Sequence, residues 1–471
     1  MANYLRPDVY VEEVSSGEKP IQSVSTSTGA LIGVTARGVD NQAVLVTSWT
    51  EFVEKFAKGL ATPFLKNSDL PNAVYGFFQN GGSKCYVVRA TSSSCDFAEG
   101  TLGDSSVVFQ AVDKGDWAND SLVVTVTSKG SAFDVKVTLQ GAVVEQFNGL
   151  TNTVGDLNYF IDVINESSAF VRVTEGDTLQ AGSVQFEGGV SGNPVDTDYK
   201  KALELLDLAH NVNLVAVPGA SEKVAQDVVA YADANGLFAI VDVPKGKTPD
   251  QAIEFRKKLS GTNASVYYPN ICITDPLGRK STSLKVCPPS GHIMGLMARI
   301  DANRGVHKAP AGEECVVRGA VSLEQVISLA HVDLLNPEGV NSIMSKNNVG
   351  IIVWGARTIS GDSAKRYVSD VRYDLMLNKA LKEGTSWAVF EPNDEALWER
   401  VDSSIRAFLD TEWRNGALRG ATSDVAYYVK CDAELNTASS IANDQLVIEV
   451  GYAKQKPAEF VVIKLIQKSE F

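Results

Sequence analysis

Short apolar strands alternate with amphipathic helices in this chain, and that alternation limits the available folds more than any other feature. The apolar run 214–217 precedes a helical pattern over 222–234, and another apolar run follows at 238–243. Runs 29–35 and 85–89 have the same composition. Strands that are apolar on both faces must be covered on both faces, and intervening helices provide that cover. We therefore expect an α/β core.

Local patterns predict three further elements that bear on the fold. Ser48 is predicted to cap a helix over 49–56. Residues 322–330 are predicted to form a helix, and residues 387–390 a strand.

Residues 95–195 differ in charge from the sequence on either side. They contain fourteen acidic and four basic residues, a net charge of −10, in a chain whose net charge is −14. Runs of β-branched residues at 107–112, 122–127 and 133–139 predict strands, and 155–165 has one apolar helical face. We expect a β-rich domain inserted into a discontinuous α/β core. Such an acidic surface disfavours nucleic-acid binding.

With 471 residues, the chain is too long for one ordinary hydrophobic core. The predicted fold class is α/β (α+β) and multidomain, with extended arms at both ends. The predicted segments are an N-terminal linking arm at 1–25, a first core segment at 26–94, the inserted outer domain at 95–195, a second core segment at 196–349, a C-terminal α/β domain at 350–457 and a C-terminal linking arm at 458–471.

The stretch 285–312 contains a serine, a histidine and two arginines close together, as an active site can. However, Ser290 and His292 are two residues apart, which on a helix places them on different faces. A nucleophile elbow needs G-x-S-x-G, whereas this sequence has Pro-Pro-Ser-Gly-His. We instead predict that Ser290 caps a helix that ends at Gly305. No catalytic residue is predicted.

Cofactor and metal motifs are missing from the sequence as well. The four histidines lack metal-binding spacing, and the glycines near 80–84 and 246–248 lack that of a phosphate-binding loop. The six cysteines form no C-x-x-C pair and predict reduced core thiols. No apolar run reaches about 18 residues, the length a membrane span needs. We expect no cofactor, no metal and no membrane insertion.

Apolar strand patterns occur at both ends of the chain. The final run is apolar on both faces, which suits a central strand of its own domain or a strand added to a neighbouring molecule. Burying four or five such side chains contributes roughly 1.5–3 kcal/mol each. Ordering about eight residues costs roughly 1–2 kcal/mol apiece, so an arm of this kind would fold only against a partner. The residues assigned to inter-subunit arms are Val9, Tyr10, Val11, Phe460, Val462 and Ile463.

A set of short motifs extends along nearly the whole chain. It includes PDVYVEEV, STSTGALIGVTARG, GDWAND, VNLVAVPG, VCPPSGHIMGLMARIDANRGVHKAPAGEE, LLNPEGVN, GIIVWGARTIS, EGTSWAVFEPNDEALWERV and KPAEFVVIKL. Together these motifs resemble those of contractile tail sheath proteins from bacteriophages and related injection systems. Ala118 follows Trp117 where the family pattern has a glycine.

The resemblance implies a structural protein that polymerises helically around an inner tube as stacked six-membered rings. Contraction, triggered at the baseplate, would drive the tube through a target envelope. The expected partners are further copies of this chain, the inner tail tube protein, and baseplate and tail terminator proteins. The expected location is the virion tail or an injection particle, after assembly in the host cytoplasm. The alternatives are another tail or baseplate component, or an α/β enzyme with an inserted lid domain.

By the same resemblance, the C-terminal domain would face the tube. A helix predicted over 394–413, with Asn393 as its cap, carries Arg400 and Arg406, and Arg414 follows it. Its predicted apolar line consists of Leu397, Val401, Ile405, Phe408 and Leu409. We assign these three arginines as candidate tube contacts, with an ordinary solvated helix face as the alternative.

Overall fold

A computed structural model of the chain describes residues 20–103, 106–277 and 283–460. It divides into two compact units. The larger unit is Ser25–Arg372, and the smaller combines the chain up to Val24 with the chain from Tyr373 onward.

The larger unit begins with two strands, two helices and a third strand. The Ser48 side chain accepts a hydrogen bond from the Glu51 backbone N–H, which confirms the predicted helix cap. These elements are β1 (Gly29–Gly33), β2 (Ala43–Val46), α1 (Trp49–Phe56), α2 (Leu70–Asn80) and β3 (Cys85–Arg89).

A β-rich insertion with one helix follows, as predicted. Its strands form a four-stranded sheet in the order β10-β6-β7-β8 and a three-stranded sheet in the order β4-β5-β9. A buried cluster that includes Phe109, Phe160 and Phe186 joins them. The elements are β4 (Glu99–Thr101), β5 (Val108–Ala111), β6 (Leu122–Lys129), β7 (Ala132–Leu139), β8 (Ala142–Leu150), α3 (Phe160–Ser167), β9 (Val171–Glu175) and β10 (Gly182–Gln185).

Arg37 connects the insertion to the core of the larger unit. Its Nε lies 2.7 Å from Asp113 Oδ2, and both side chains are buried. The guanidinium carbon lies 4.2 Å from the ring centre of Trp117 and 4.8 Å from that of Phe170. Its Nη2 donates to the Ala169 carbonyl at 2.7 Å. One buried cation therefore joins the loop after β1 to two segments of the insertion, 113–117 and 169–170.

After the insertion, helices and strands alternate. The elements are α4 (Asp196–Glu204), β11 (Leu214–Ala216), α5 (Glu222–Asn235), β12 (Phe238–Asp242), α6 (Pro249–Lys257), β13 (Ala264–Tyr268), β14 (Ile271–Thr274), β15 (Leu284–Cys287), α7 (Ser290–Arg304), β16 (Ala320–Leu323), α8 (Leu329–Leu335), β17 (Val340–Lys346) and β18 (Gly350–Val353).

The main sheet has eight strands in the order β18-β17-β13-β12-β11-β1-β3-β2. Its six central strands are parallel, and β2 and β18 pair antiparallel at the two edges. On one face, Ala30 and Ile32 pack with side chains of α4, α5, α6 and α8. On the other, a Cβ on Gly29 would lie 2.4 Å from Met294 Sδ of α7. The sheet is covered on both faces, so the predicted α/β core is confirmed.

Helices α2 and α7 approach each other closely because glycines lie at their contact. A Cβ on Gly291 would lie 2.3 Å from the Ala73 carbonyl oxygen, and one on Gly295 would lie 2.2 Å from that of Phe77. Even the methyl group of an alanine at either position cannot fit without separating the two helices.

The smaller unit contains a long amphipathic helix, α10, whose predicted apolar line is confirmed as buried. The Asp394 side chain caps it by accepting from the Leu397 backbone N–H, so the cap is one residue later than the predicted Asn393. The boundary with the larger unit falls inside α9. The elements are α9 (Val368–Gly384), α10 (Glu395–Arg414), α11 (Ser423–Ala426), β19 (Tyr427–Lys430), α12 (Ala438–Ala442) and β20 (Glu449–Tyr452).

Two predicted elements are wrong. The sequence predicts a helix over 322–330, but Ser322 and Leu323 pair with β14, and α8 begins only at Leu329, after Ser328, whose side chain accepts from the His331 N–H. A strand was expected over 387–390, but Ser386–Ala388 is a short 3-10 helix and Phe390 has a φ of +69°. In the described ranges of the chain, no helix is both long and apolar enough to cross a membrane.

Candidate assembly interface

Ser290 and His292 are enclosed in the packing of the larger unit. Ser290 is 0% exposed and His292 is 1% exposed. The imidazole lies against Gly76, where a Cβ would come within 2.3 Å of its Nδ1. Burial lowers the pKa of His292 to about 4, so the ring is neutral at physiological pH. No hydrogen bond joins the two side chains, and neither has the exposure that a nucleophile or a base needs.

Ser290 does not cap α7, as the sequence suggested, because it is the first residue of the helix itself. The Asp242 side chain caps the start of α7 instead, because it accepts a hydrogen bond from the Ser290 backbone N–H at 2.7 Å. Burial raises the pKa of Asp242 to about 7, against the opposing effect of hydrogen bonds from Ser290 and Gly219. This carboxyl group was missed from the sequence, although a carboxylate that ends an apolar parallel strand is a recognisable signal.

The cysteines form no disulfide, and all six are buried. Burial raises the pKa of Cys315 and of Cys431 to about 11, and it raises the pKa of Cys85 and Cys287 further above the ordinary thiol value. These thiols are protonated and shielded core residues. Within the described ranges, no three acidic, histidine or cysteine side chains are arranged to hold a metal ion.

In the smaller unit, β19 and β20 form an antiparallel sheet of two four-residue strands. Tyr428 lies directly opposite Gly451, and a Cβ on that glycine would lie 2.1 Å from the tyrosine ring. Tyr452 donates to Asp374 at 2.8 Å, which fastens β20 to α9. A two-stranded sheet has marginal stability by itself. This one is held by its helices, and no further strand among the described residues joins it.

The predicted arm residues adjoin this unit in the chain. Phe460 is described; it is 73% exposed and lies outside any strand. At the other end, Ile21 is 8% exposed and packs against Gly384 at the end of α9. The other five assigned arm residues, Val9, Tyr10, Val11, Val462 and Ile463, lie outside the described residues.

The three candidate tube-contact arginines all have carboxylate partners within the smaller unit. Arg400 lies 3.5 Å from Glu391 and stacks over Trp387 at 5.2 Å. Arg406 pairs with Asp402 and donates to the Val429 carbonyl, which fastens α10 to β19.

Arg414 lies 2.8 Å from Asp410, and its side chain is 73% exposed. Of the three, Arg414 is therefore the most accessible to a partner, whereas Arg406 also supports the fold.

Family profiles match the second half of the chain in two consecutive blocks. The phage tail sheath protein central domain matches residues 192–359, and the phage tail sheath C-terminal domain matches residues 360–467. Together these matches cover more than half of the chain.

Individual relatives agree with this assignment. The tail sheath protein of Burkholderia phage BcepMu is 22% identical over 505 aligned positions, which span 100% of this chain and 98% of that protein. A putative prophage major tail sheath protein of Pseudomonas aeruginosa is 26% identical over 61% of this chain and 74% of its own length.

The fold is also similar to that of solved sheath proteins. The sheath of an extracellular contractile injection system, solved in the contracted state, superposes with a TM-score of 0.65 at 21% identity, over 99% of both chains. The sheath tail protein of Desulfitobacterium hafniense has the same TM-score at 12% identity, over 90% of this chain and 94% of its own. With both family profiles matched in order, this chain belongs to the phage tail sheath protein family.

Proposed function

We propose that this protein polymerises helically around an inner tube and that the polymer contracts to drive the tube through a target envelope. Family membership makes it a structural subunit of a contractile sheath. The observation that carries the proposal for linkage between subunits is the sheet of β19 and β20, which has only two short strands among the described residues and comes shortly before the C-terminal arm in the chain. Strands donated by neighbouring copies would extend it and satisfy its open backbone groups.

The arms would work by strand addition. Residues of 7–25 and 458–468 would each pair with a sheet of this kind in another copy. Such links persist while other contacts rearrange, because strand pairing depends on backbone hydrogen bonds within a flexibly attached segment. The anchoring of Ile21 against Gly384 supports this role, since it fixes the base of the first arm to the same unit.

Deletion of residues 459–471 tests the linkage. The truncated protein should remain as soluble subunits, whereas the full chain should form striated hollow cylinders under negative-stain electron microscopy. Deletion of 469–471 alone is the matched control and should leave the cylinders intact. Cylinders of normal length from the longer deletion would refute linkage by this arm. Discrete monomers from the full chain under all conditions would refute the sheath function itself.

We further propose that α10 contacts the tube protein through its arginines. Exchange of Arg414 for Glu should reduce co-assembly with tube protein, because that side chain is the most exposed of the three. Lys223→Glu is the control: Lys223 forms a similarly exposed ion pair with Asp227 at 2.7 Å, also four residues apart on a helix, but in the larger unit. Equal co-assembly of both variants with the tube would reject this contact.

The proposed partners are other copies of the chain, the tube protein, and baseplate and tail terminator proteins. Solved sheath neighbours include an anti-feeding prophage baseplate and a helical sheath, which supports association with itself and with a baseplate. The proposed location is a phage tail or injection particle assembled in the host cytoplasm. The enclosed Ser290 and His292 support a role without catalysis at that stretch, and the net charge of −10 over residues 95–195 disfavours nucleic-acid binding.

A further inference from the structure

A cavity of about 530 Å³ lies in the larger unit, between α1, α2 and strands β14 and β16. Trp49, Phe64 and Tyr75 form an aromatic wall. The ring centres of Trp49 and Phe64 are 5.4 Å apart and those of Trp49 and Tyr75 are 5.1 Å apart. Val321 of β16 lines the cavity and is 57% exposed, so it marks the solvent side. The cavity is large enough for an aromatic side chain and part of its backbone.

Two of the polar side chains that line the cavity have atoms without a hydrogen-bond partner. Asn72 is 0% exposed, and neither its side-chain nitrogen nor its oxygen has a hydrogen-bond partner. The same holds for Nδ1 of His292. Both side chains are closed to solvent, so an occupant of the cavity would meet its aromatic and aliphatic lining instead. None of the described lining residues carries a formal charge, because His292 is neutral. An uncharged apolar side chain therefore suits this lining.

A matching side chain is presented elsewhere on the same chain. Phe390 is fully exposed at 102%, and the adjacent Val389 is 63% exposed. Phe390 also has a φ of +69°, which is unfavourable for a bulky residue unless the surroundings hold it. The following turn is held at Asn393, which donates to the Gln445 carbonyl at 3.0 Å and accepts from Trp398 Nε1 at 2.8 Å. The loop thus presents an aromatic side chain to solvent.

We propose that Phe390 of one copy inserts into the cavity of a second copy. The inference rests on the proposed function, because the family assembles from identical subunits. Phe390 and the cavity are different surfaces of one chain, so their contact is heterologous. Contacts of this kind build open helical polymers or rings, in agreement with a sheath. Neither Phe390 itself nor the described lining residues of the cavity are charged, so the match is one of apolar shape rather than ion pairing.

Cysteine cross-linking tests the contact directly. The variant Phe390→Cys/Val321→Cys is allowed to assemble and treated with a short bismaleimide. Because both positions are exposed and all six native cysteines are buried, the introduced pair should dominate the reaction. The expected result is a ladder of dimers, trimers and longer products on a denaturing gel. Neither single variant should give products longer than dimers.

Absence of the ladder from assembled cylinders, or cross-linking only within one chain, would overturn the proposal while leaving the sheath function intact. Failure of the unmodified chain to form cylinders would instead refute the proposed function. A second measurement uses Phe390→Gly, which removes the side chain and suits the positive φ. Its subunits should melt at the unmodified temperature but need at least several-fold more protein to assemble. Assembly at an unchanged concentration would also overturn the proposal.

Discussion

The close contact between α2 and α7 makes Gly295→Ala a sharp test of the packing. In an ordinary helix this change is favourable by about 1 kcal/mol, because alanine has the higher helix propensity. Here the added Cβ would lie 2.2 Å from the Phe77 carbonyl oxygen. That atom belongs to the backbone, so no side-chain rotation relieves the overlap and the helices must separate.

Separation would loosen a helix with ten buried residues. Overpacking of this kind typically costs about 1–3 kcal/mol, and a backbone obstacle favours the upper end of that range. We expect a net loss of about 2 kcal/mol, which corresponds to roughly 30-fold faster hydrogen exchange where global opening limits exchange. Exchange of peptides from α2 and α7, measured by mass spectrometry on unassembled protein, gives the value.

Gly361→Ala is the matched control, because no atom lies within 4 Å of the Cβ built there. It should leave exchange in both helices unchanged. A Gly295→Ala variant with protection equal to or above that of the unmodified chain would refute the argument that glycine is required for this helix contact.

Three further predictions concern buried groups. Gly76→Ala should destabilise the larger unit, because the added Cβ meets the imidazole ring of His292 at 2.3 Å. His292→Ala in the same chain should restore part of the lost stability. If the two losses were additive in a double-mutant cycle, this contact would not be their cause. Arg37→Met should lower the free energy of unfolding by about 3–5 kcal/mol, because it leaves the Asp113 carboxylate buried without its partner. The double variant Arg37→Met/Asp113→Leu should regain part of that free energy, as measured by urea unfolding. Asp242 has a pKa of about 7 when folded against 3.8 as its ordinary value, so the folded state binds more protons between these pH values and stability falls as pH rises through that window. This fall in stability amounts to a few kcal/mol, and Asp242→Asn should remove it. Thermal melts from pH 4 to 8 measure it. If melting temperature depended on pH equally in the variant and in the unmodified chain, Asp242 would not be its cause.

The core strands could be predicted from the sequence because they are buried on both faces and consist mainly of apolar residues. β1, β12 and β13 are buried at every position, and uninterrupted apolar runs are typical of parallel strands with helices on both faces. The Ser48 cap was equally clear because it depends on neighbouring residues only. In such places local preference and tertiary environment favour the same conformation.

The errors occurred where tertiary contacts decide the structure. The helix predicted over 322–330 overlaps β16 at Ser322 and Leu323, and pairing with β14 holds these two residues extended. Val389 and Phe390 have strand-like composition, yet both are exposed, and no sequence pattern predicts an aromatic residue at positive φ. Among candidate site residues, the arginines of α10 were visible in the sequence, whereas the partners that occupy them were not.

The order of strands in the main sheet has a consequence for synthesis on the ribosome. β1 pairs on one side with β3, which is synthesised soon afterwards. On its other side it pairs with β11, so Gly29 has no partner there until Leu214 has been synthesised. The whole insertion emerges during that interval. Its prior folding would bring its two ends together and shorten the effective loop that β1 and β11 must close. The folded insertion would then hold β1 and β11 close together in the nascent chain, before any subunits assemble.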